Sequence, residues 1–306
     1  MPGISHYIGE KPNYGAGIGH QLANWNAGYY FSGYYNLRFA HFPFSNEKWD
    51  TLLGLGEKEM AARSLLKDKS FKKVRLPRFN SEKESEVKLI GNILQSYSNN
   101  NKIFFLLAQD QGYARQCDTY TGLSEKFFAA AARKENNLFY KAGILNIAIH
   151  IRRGDVADMK KRGDSKWEQR WLNNEYYVTV LQQVLATVLT GKKIQVYIFS
   201  QGNKDDFPEF NQFIDVNYCN HVSEYSSFVH MVYADILISS KSSFSYKPAL
   251  ISKGIKICPA GFWHAYPLLP DFIVADDNGN FEREKLETAL KNTKPGKAGQ
   301  YRGIQE

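Results

Sequence analysis

The side chains best placed for chemistry are those of His150-Ile151-Arg152-Arg153-Gly154-Asp155, at the end of the β-branched run Ile144 to Ile151. Two adjacent guanidiniums leaving a buried strand are costly unless they meet an anion. The carboxyl end of a parallel strand is where a phosphate sits, and arginine can grip its oxygens bidentately. The competing reading is structural, with Arg152 or Arg153 bridging to Asp155. The embedded Arg-Gly-Asp tripeptide lies against a core strand, which does not suit an adhesion ligand.

Two further stretches carry weaker signals. Gly15-Ala16-Gly17-Ile18-Gly19-His20-Gln21 opens a helix, where glycines allow close backbone approach and free amides favour negative charge. It lacks the third glycine of the dinucleotide fingerprint, and no convincing strand precedes it. Ser239-Ser240-Lys241-Ser242-Ser243-Phe244-Ser245 joins a strand to a helix. Hydroxyls and amides at such a turn make an anion nest, or simply an N-cap.

Several other chemistries lack their signatures. The chain holds no Asp-x-Asp, no Walker A loop, no Gly-x-Ser-x-Gly and no His-Glu-x-x-His. Its histidines, His6, His20, His41, His150, His221, His230 and His264, show no metal-ligand spacing, so no metal is expected.

The elements that must position these groups change character along the chain. In the first half the glycine loop at 15–19 runs into a helix from about Gln21 to Tyr35, and Leu37 to Phe42 reads as a short strand. Glu57 to Lys73 and Ser81 to Tyr97 read as charged amphipathic helices, the second with a Ser81–Glu84 capping box. Ile103 to Ala108 is a strand and Ser124 to Lys134 a helix. From residue 144, strands at 144–151, 194–199, 235–239 and 255–258 alternate with helices at about 174–190, 223–233 and 246–253. That alternation predicts βαβ units and a parallel sheet. The expected division is 1–143 and a Rossmann-like 144–306, with a frayed Lys- and Gly-rich tail after Lys291.

Composition narrows the partners. The 306 residues are 43% apolar and 23% charged, an ordinary globular mix with no membrane-length apolar run. Lys and Arg exceed Asp and Glu by 39 to 31, for a net charge of +8. The surplus suits an anionic partner: nucleic acid, an acidic membrane surface at which the chain would associate peripherally, or a phosphorylated small molecule. No helix interleaves basic with aromatic residues as nucleic-acid binding would require, so nucleic acid is not the expected partner. Three scattered cysteines give neither a disulfide framework nor a zinc site, and the amino terminus carries no signal-like core, so a reducing, cytoplasmic setting is expected.

Taken together the three stretches resemble a family. His150-Ile151-Arg152-Arg153-Gly154-Asp155 resembles the His-x-Arg-Arg-x-Asp motif of the α1,2-, α1,6- and protein-O-fucosyltransferase superfamily. Gly15 to Leu22 looks like the glycine-rich amino-terminal loop of its α1,6 branch, and Ala234 to Phe244 is similar to the carboxyl-terminal motif there. The resemblance implies an α/β GT-B fold, two Rossmann-like domains facing across a cleft, the first of them on the acceptor side. It implies a GDP-fucose donor, inversion at the sugar carbon, a glycan acceptor and no metal or other cofactor. His150 would contact the nucleotide and Arg152 the diphosphate, with Arg153 and Asp155 holding that loop. Ile18, Gly19 and His20 would line the nucleotide, and Ser242, Ser243 and Phe244 would cradle the phosphates. A metal-free transferase must neutralise the leaving diphosphate with fixed donors, which Arg152 and two backbone nests supply.

The sequence departs from that pattern in the acidic pair after the 194–199 strand, replaced by Ser200-Gln201-Gly202 with Asp205 and Asp206 later, and at Ser227, where the family reads guanine with an aspartate. The catalytic base falls among Asp158, Asp164 and Glu168, with Asp158 the expected one, near Lys160 in the alignment. The acceptor is expected against aromatics of the Tyr29–Tyr35 and Trp167–Trp171 regions. The alternatives are another GDP- or UDP-sugar on the same fold, or a non-catalytic basic protein that binds nucleic acid or glycan.

Overall fold

A computed structural model describes residues 5–135, 137–188 and 193–293. They form two compact units, Met1–Lys134 with Trp263–Ala265, and Glu135–Phe262 with Tyr266–Glu306. The change-over at Lys134 precedes the expected residue 143 because the intervening aromatics pack into the second unit. Phe139 stacks on His230 with ring centroids 3.6 Å apart, and the Tyr140 hydroxyl donates to the His230 carbonyl at 2.8 Å.

The first unit runs β1 (Ser5–Glu10), α1 (Ile18–Tyr34), β2 (Arg38–His41), α2 (Glu47–Leu53), β3 (Met60–Ala61), α3 (Ala62–Lys67), β4 (Lys72–Arg75), α4 (Glu84–Gln95), β5 (Lys102–Leu107) and α5 (Tyr120–Ala129). Its sheet is parallel throughout, in the order β3-β2-β1-β5-β4. Ile8, Phe31, Ile90, Ile103 and Phe105 fill the core on one face.

Three expectations are corrected here. A strand does precede the glycine loop: β1 is the central strand, built from a segment whose only large apolar residues are Tyr7 and Ile8. The helix expected over 57–73 is broken into β3, α3 and β4, because Lys58 takes a left-handed φ of 65° and β4 is drawn into parallel pairing with β5. The second amphipathic helix starts at Glu84 and not at Ser81; Asn80 donates its amide to Glu86 at 2.6 Å, so the local polar groups close a loop in place of a capping box.

The second unit runs β6 (Leu145–Ile151), α6 (Asp155–Lys161), α7 (Asn174–Thr187), β7 (Ile194–Ser200), β8 (Val216–Tyr218), α8 (Glu224–Tyr233), β9 (Ile236–Ile238), α9 (Ser243–Ile251), β10 (Ile255–Pro259), β11 (Phe272–Ala275) and α10 (Arg283–Asn292). Its sheet is again parallel, ordered β11-β10-β9-β6-β7-β8. Every residue of β6 is buried, as a strand covered on both faces requires. Lys291 belongs to α10, and the rest of the tail expected to fray, residues 294–306, lies outside the described residues.

Both sheets reverse direction beside their first strand. In the second unit the chain leaves β6 toward β7 on one side, and β9 flanks β6 on the other. In the first, β1 leads to β2 on one side with β5 on the other. Such switch points leave a crevice beyond the carboxyl ends of the strands, where α/β proteins bind ligands.

Candidate functional site

The carboxyl ends of β6 and β9 in the second unit bring together the histidine–arginine and serine stretches singled out above. His150 is the next-to-last residue of β6 and is buried, its Nδ1 sharing a 2.8 Å hydrogen bond with Ser240 Oγ just beyond β9. This pairing spans the switch point. Burial, reinforced by the neighbouring Arg152 and Arg153, pushes the imidazole down to about 3, so it is neutral in use. A neutral ring offers one donor and one acceptor nitrogen, which suits recognition better than charge neutralisation.

The two arginines diverge. Arg152 is partly exposed at the rim, its guanidinium 2.6 Å from the exposed carboxylate of Asp155. Arg153 turns inward and is 7% exposed. Its guanidinium donates to the carbonyls of Arg152 (2.8 Å) and Leu172 (3.2 Å) and to the Asn174 side chain, and it stacks 4.0 Å over the Trp171 ring. The expectation of twin guanidiniums facing an anion is therefore corrected. Arg152 alone stands at the rim, while Arg153 straps the turn to the segment leading into α7. Adjacent residues in a tight turn point apart, and spacing alone cannot separate their roles.

Gly154 makes that turn possible. It adopts φ 57°, a conformation that suits glycine, and a Cβ there would lie 2.0 Å from Gln201 Oε1. Asp155 then begins α6, with Asp158 exposed in its first turn; no hydrogen bond is made by the Asp158 carboxylate among the described residues.

The serine stretch builds the opposite wall. Ser242 caps α9, its Oγ accepting the Phe244 amide at 3.2 Å, and Ser245 Oγ accepts the Ser240 amide at 3.2 Å. Ser243 is the first residue of the helix. The Phe244 ring lies 5.5 Å from that of His150, so the amino terminus of α9 stands beside the histidine. Partial positive charge at a helix start and one rim arginine suit an anion. Lys241 is turned away, paired with Asp277 at 2.8 Å. Ser240 was legible in the motif but not singled out; only the strand order reveals it as the partner of His150.

The glycine loop belongs to the first unit. Ile18 and Gly19 are buried in the first turn of α1, and His20 Nε2 pairs with Asp110. The aromatics expected to meet an acceptor are largely packed. Tyr29 stacks on Trp25 at 4.7 Å, Tyr35 donates to the Val87 carbonyl at 2.9 Å, and Trp171 is held between Arg153 and Lys160. Among the described residues no group of three His, Cys, Asp or Glu is placed to hold a metal.

Solved structures resemble this chain in fold. POFUT1 in complex with GDP superposes over 83% of this chain and 97% of its own, with a TM-score of 0.53 and 12% identity. The chain has the GT-B fold. NodZ alpha-1,6-fucosyltransferase co-crystallized with GDP covers 91% of this chain and 97% of its own, with a TM-score of 0.44 and 12% identity. No family model matches the sequence, and no curated protein matches it significantly.

Proposed function

We propose that the chain is an inverting, metal-independent fucosyltransferase that moves L-fucose from GDP-fucose to a glycan hydroxyl. The observation that carries this reading is the His150–Ser240 joint at the switch point, flanked by Arg152 and the start of α9. Its support is the fold shared with POFUT1, whose structure was solved in complex with GDP.

In this reading the neutral His150 recognises the nucleotide, and Arg152 exchanges Asp155 for the diphosphate as charge develops on the leaving group. The start of α9 holds the phosphate oxygens with the Ser243 amide and the Ser242 and Ser243 hydroxyls, the Ser242 and Phe244 amides being bonded within the turn. Arg153 acts as a positioning residue, fixing the turn from which Arg152 projects. Fixed donors of this kind need no reorganisation at the moment of reaction, and losing one typically costs about 10²–10³ in rate. Three free cysteines accord with a reducing compartment.

Thermal shifts with GDP, UDP and a short DNA duplex test the class of ligand. Stabilisation by GDP alone supports the reading; stabilisation by UDP alone, by DNA alone, or by none of the three contradicts it. Donor hydrolysis across GDP-fucose, GDP-mannose and UDP-sugars then identifies the sugar.

A further inference from the structure

The basic surplus of the chain is not spread evenly. Residues 63–78 carry seven basic side chains against the single acid Asp68, a surplus of six in a chain whose whole surplus is eight. Of the seven, only Arg78 is ion-paired among the described residues, standing 3.7 Å from Asp110. The Asp68 carboxylate is engaged locally, its Oδ1 accepting the Ser70 amide at 2.8 Å and the Ser70 hydroxyl at 2.6 Å.

The register of the first sheet shows where these cations stand. Arg38, Tyr7, Phe104 and Lys73 pair in turn across β2, β1, β5 and β4, so their side chains point to one face. Arg75 lies two residues beyond Lys73, and Lys102 two before Phe104, so both share that face. Met60, paired with Ala40 on the edge strand β3, faces the same way. Over this face lies α3. Its Ala62 and Leu65 pack with Tyr7, Ala40, Phe42, Phe71 and Phe104, which leaves Arg63, Leu66 and Lys67 on the outside. Lys102 stands 5.5 Å over the Phe71 ring and Arg38 5.8 Å over that of Tyr7, and both residues are exposed. Their stems rest on buried aromatics while the charge stays in water.

One exposed face thus gathers Arg38, Arg63, Lys67, Arg75 and Lys102, with Lys69 on the turn after α3, around two apolar side chains. Leu66 is 40% exposed and Met60 39%. The mixture chooses the partner. Cations spread over a broad face match an extended anionic surface, and exposed aliphatic tips among them match a surface with an apolar layer beneath its charge. Nucleic acid would call for exposed aromatics to stack on bases or a longer helix to enter a groove. Here Tyr7, Phe71 and Phe104 are buried, and α3 has only six residues.

We infer that the α3 face of the first unit docks on an anionic phospholipid bilayer, with its lysines and arginines at the headgroups and Leu66 and Met60 at the acyl boundary. The inference needs neither the transferase reading nor any residue outside the first unit. Each basic side chain near such a surface strengthens binding about fivefold, and the attraction fades within a Debye length, about 10 Å at 0.1 M salt. Two aliphatic tips alone anchor weakly, so attachment depends on the charge.

The experiment is co-sedimentation of the full chain with phosphatidylcholine vesicles containing about 30% phosphatidylglycerol, and with vesicles of phosphatidylcholine alone. Binding is expected to the anionic vesicles only, falling about tenfold or more between about 0.1 M and about 0.5 M salt. Arg63→Gln with Lys67→Gln should weaken it about 20-fold. Lys285→Gln with Lys291→Gln removes the same charge from exposed positions of α10 and should change it less than about twofold. Leu66→Asn keeps every charge and should still lose several-fold. No binding to the anionic vesicles, equal binding to both kinds, equal losses in the two double variants, or full binding by Leu66→Asn overturns the inference. Release of the chain from the vesicles by a short DNA duplex at matched charge also overturns it and assigns the face to nucleic acid. Should Arg63→Gln with Lys67→Gln fail to fold, Lys69→Gln with Arg75→Gln, both exposed and outside any ion pair among the described residues, takes its place.

Discussion

His150 Nδ1 lies 2.8 Å from Ser240 Oγ, a hydrogen bond that ties the carboxyl end of β6 to the chain leaving β9. Two strands far apart in sequence are thereby locked in register where a parallel sheet reverses its winding. The ring is buried, neutral and fixed, with Arg152 and the start of α9 beside it.

The buried imidazole makes stability depend on pH with a definite sign. His150 is pushed from 6.5 down to about 3, so between those values the unfolded chain binds a proton that the folded chain does not. Its contribution is complete above 6.5 and is lost as pH falls toward 3, with a slope of up to about 1.4 kcal/mol per pH unit. His150→Gln should flatten this part of the acid limb. Urea unfolding at a series of pH values checks it, and an unchanged slope contradicts it.

Arg153 should behave as a structural residue. Its guanidinium is buried on two carbonyls, an amide side chain and an indole face. Arg153→Ala should cost about 2–4 kcal/mol in unfolding free energy, far more than an exposed arginine. Arg153→Lys should recover only part of it, since a point charge cannot reproduce the planar fork.

Gly154→Ala should also destabilise, by about 1–3 kcal/mol, because it combines a left-handed backbone with a clash against Gln201. The two causes separate in a double-mutant cycle. Gln201→Ala in the same chain should restore little, since the clash falls on the far end of a flexible side chain and the backbone cost dominates.

How much of this was legible in the sequence follows from what each residue touches. The run Leu145–Ile151 reads as a buried parallel strand from its five apolar residues, while its buried Asn146 and His150 are held by hydrogen bonds that only the fold reveals. The helix read over 223–233 is α8, whose cap Ser223, not singled out in the sequence, accepts the Ser226 amide at 3.3 Å. By contrast β1 hides its place at the centre of the first sheet, since Gly9 and Glu10 are buried for reasons of close packing and chemistry that no hydrophobic pattern carries. The segment 57–73 has helical periodicity, yet long-range pairing of β4 with β5 overrides it. The hydrogen bond from the Asp110 amide to Glu10 was invisible because Asp110 lies a hundred residues along the chain and meets it only through the fold.

The central claim is that Arg152 is the rim cation for a nucleoside diphosphate, and GDP-dependent thermal stabilisation of Arg152→Ala tests it most directly. Without ligand the variant should melt within a degree or two of wild type, since a partly exposed pair with Asp155 contributes only about 0–1 kcal/mol. With GDP at about a hundred times its dissociation constant, wild type should gain about 2.7 kcal/mol and melt several degrees higher, while the variant should show no shift. An equal GDP shift in both proteins would contradict the account.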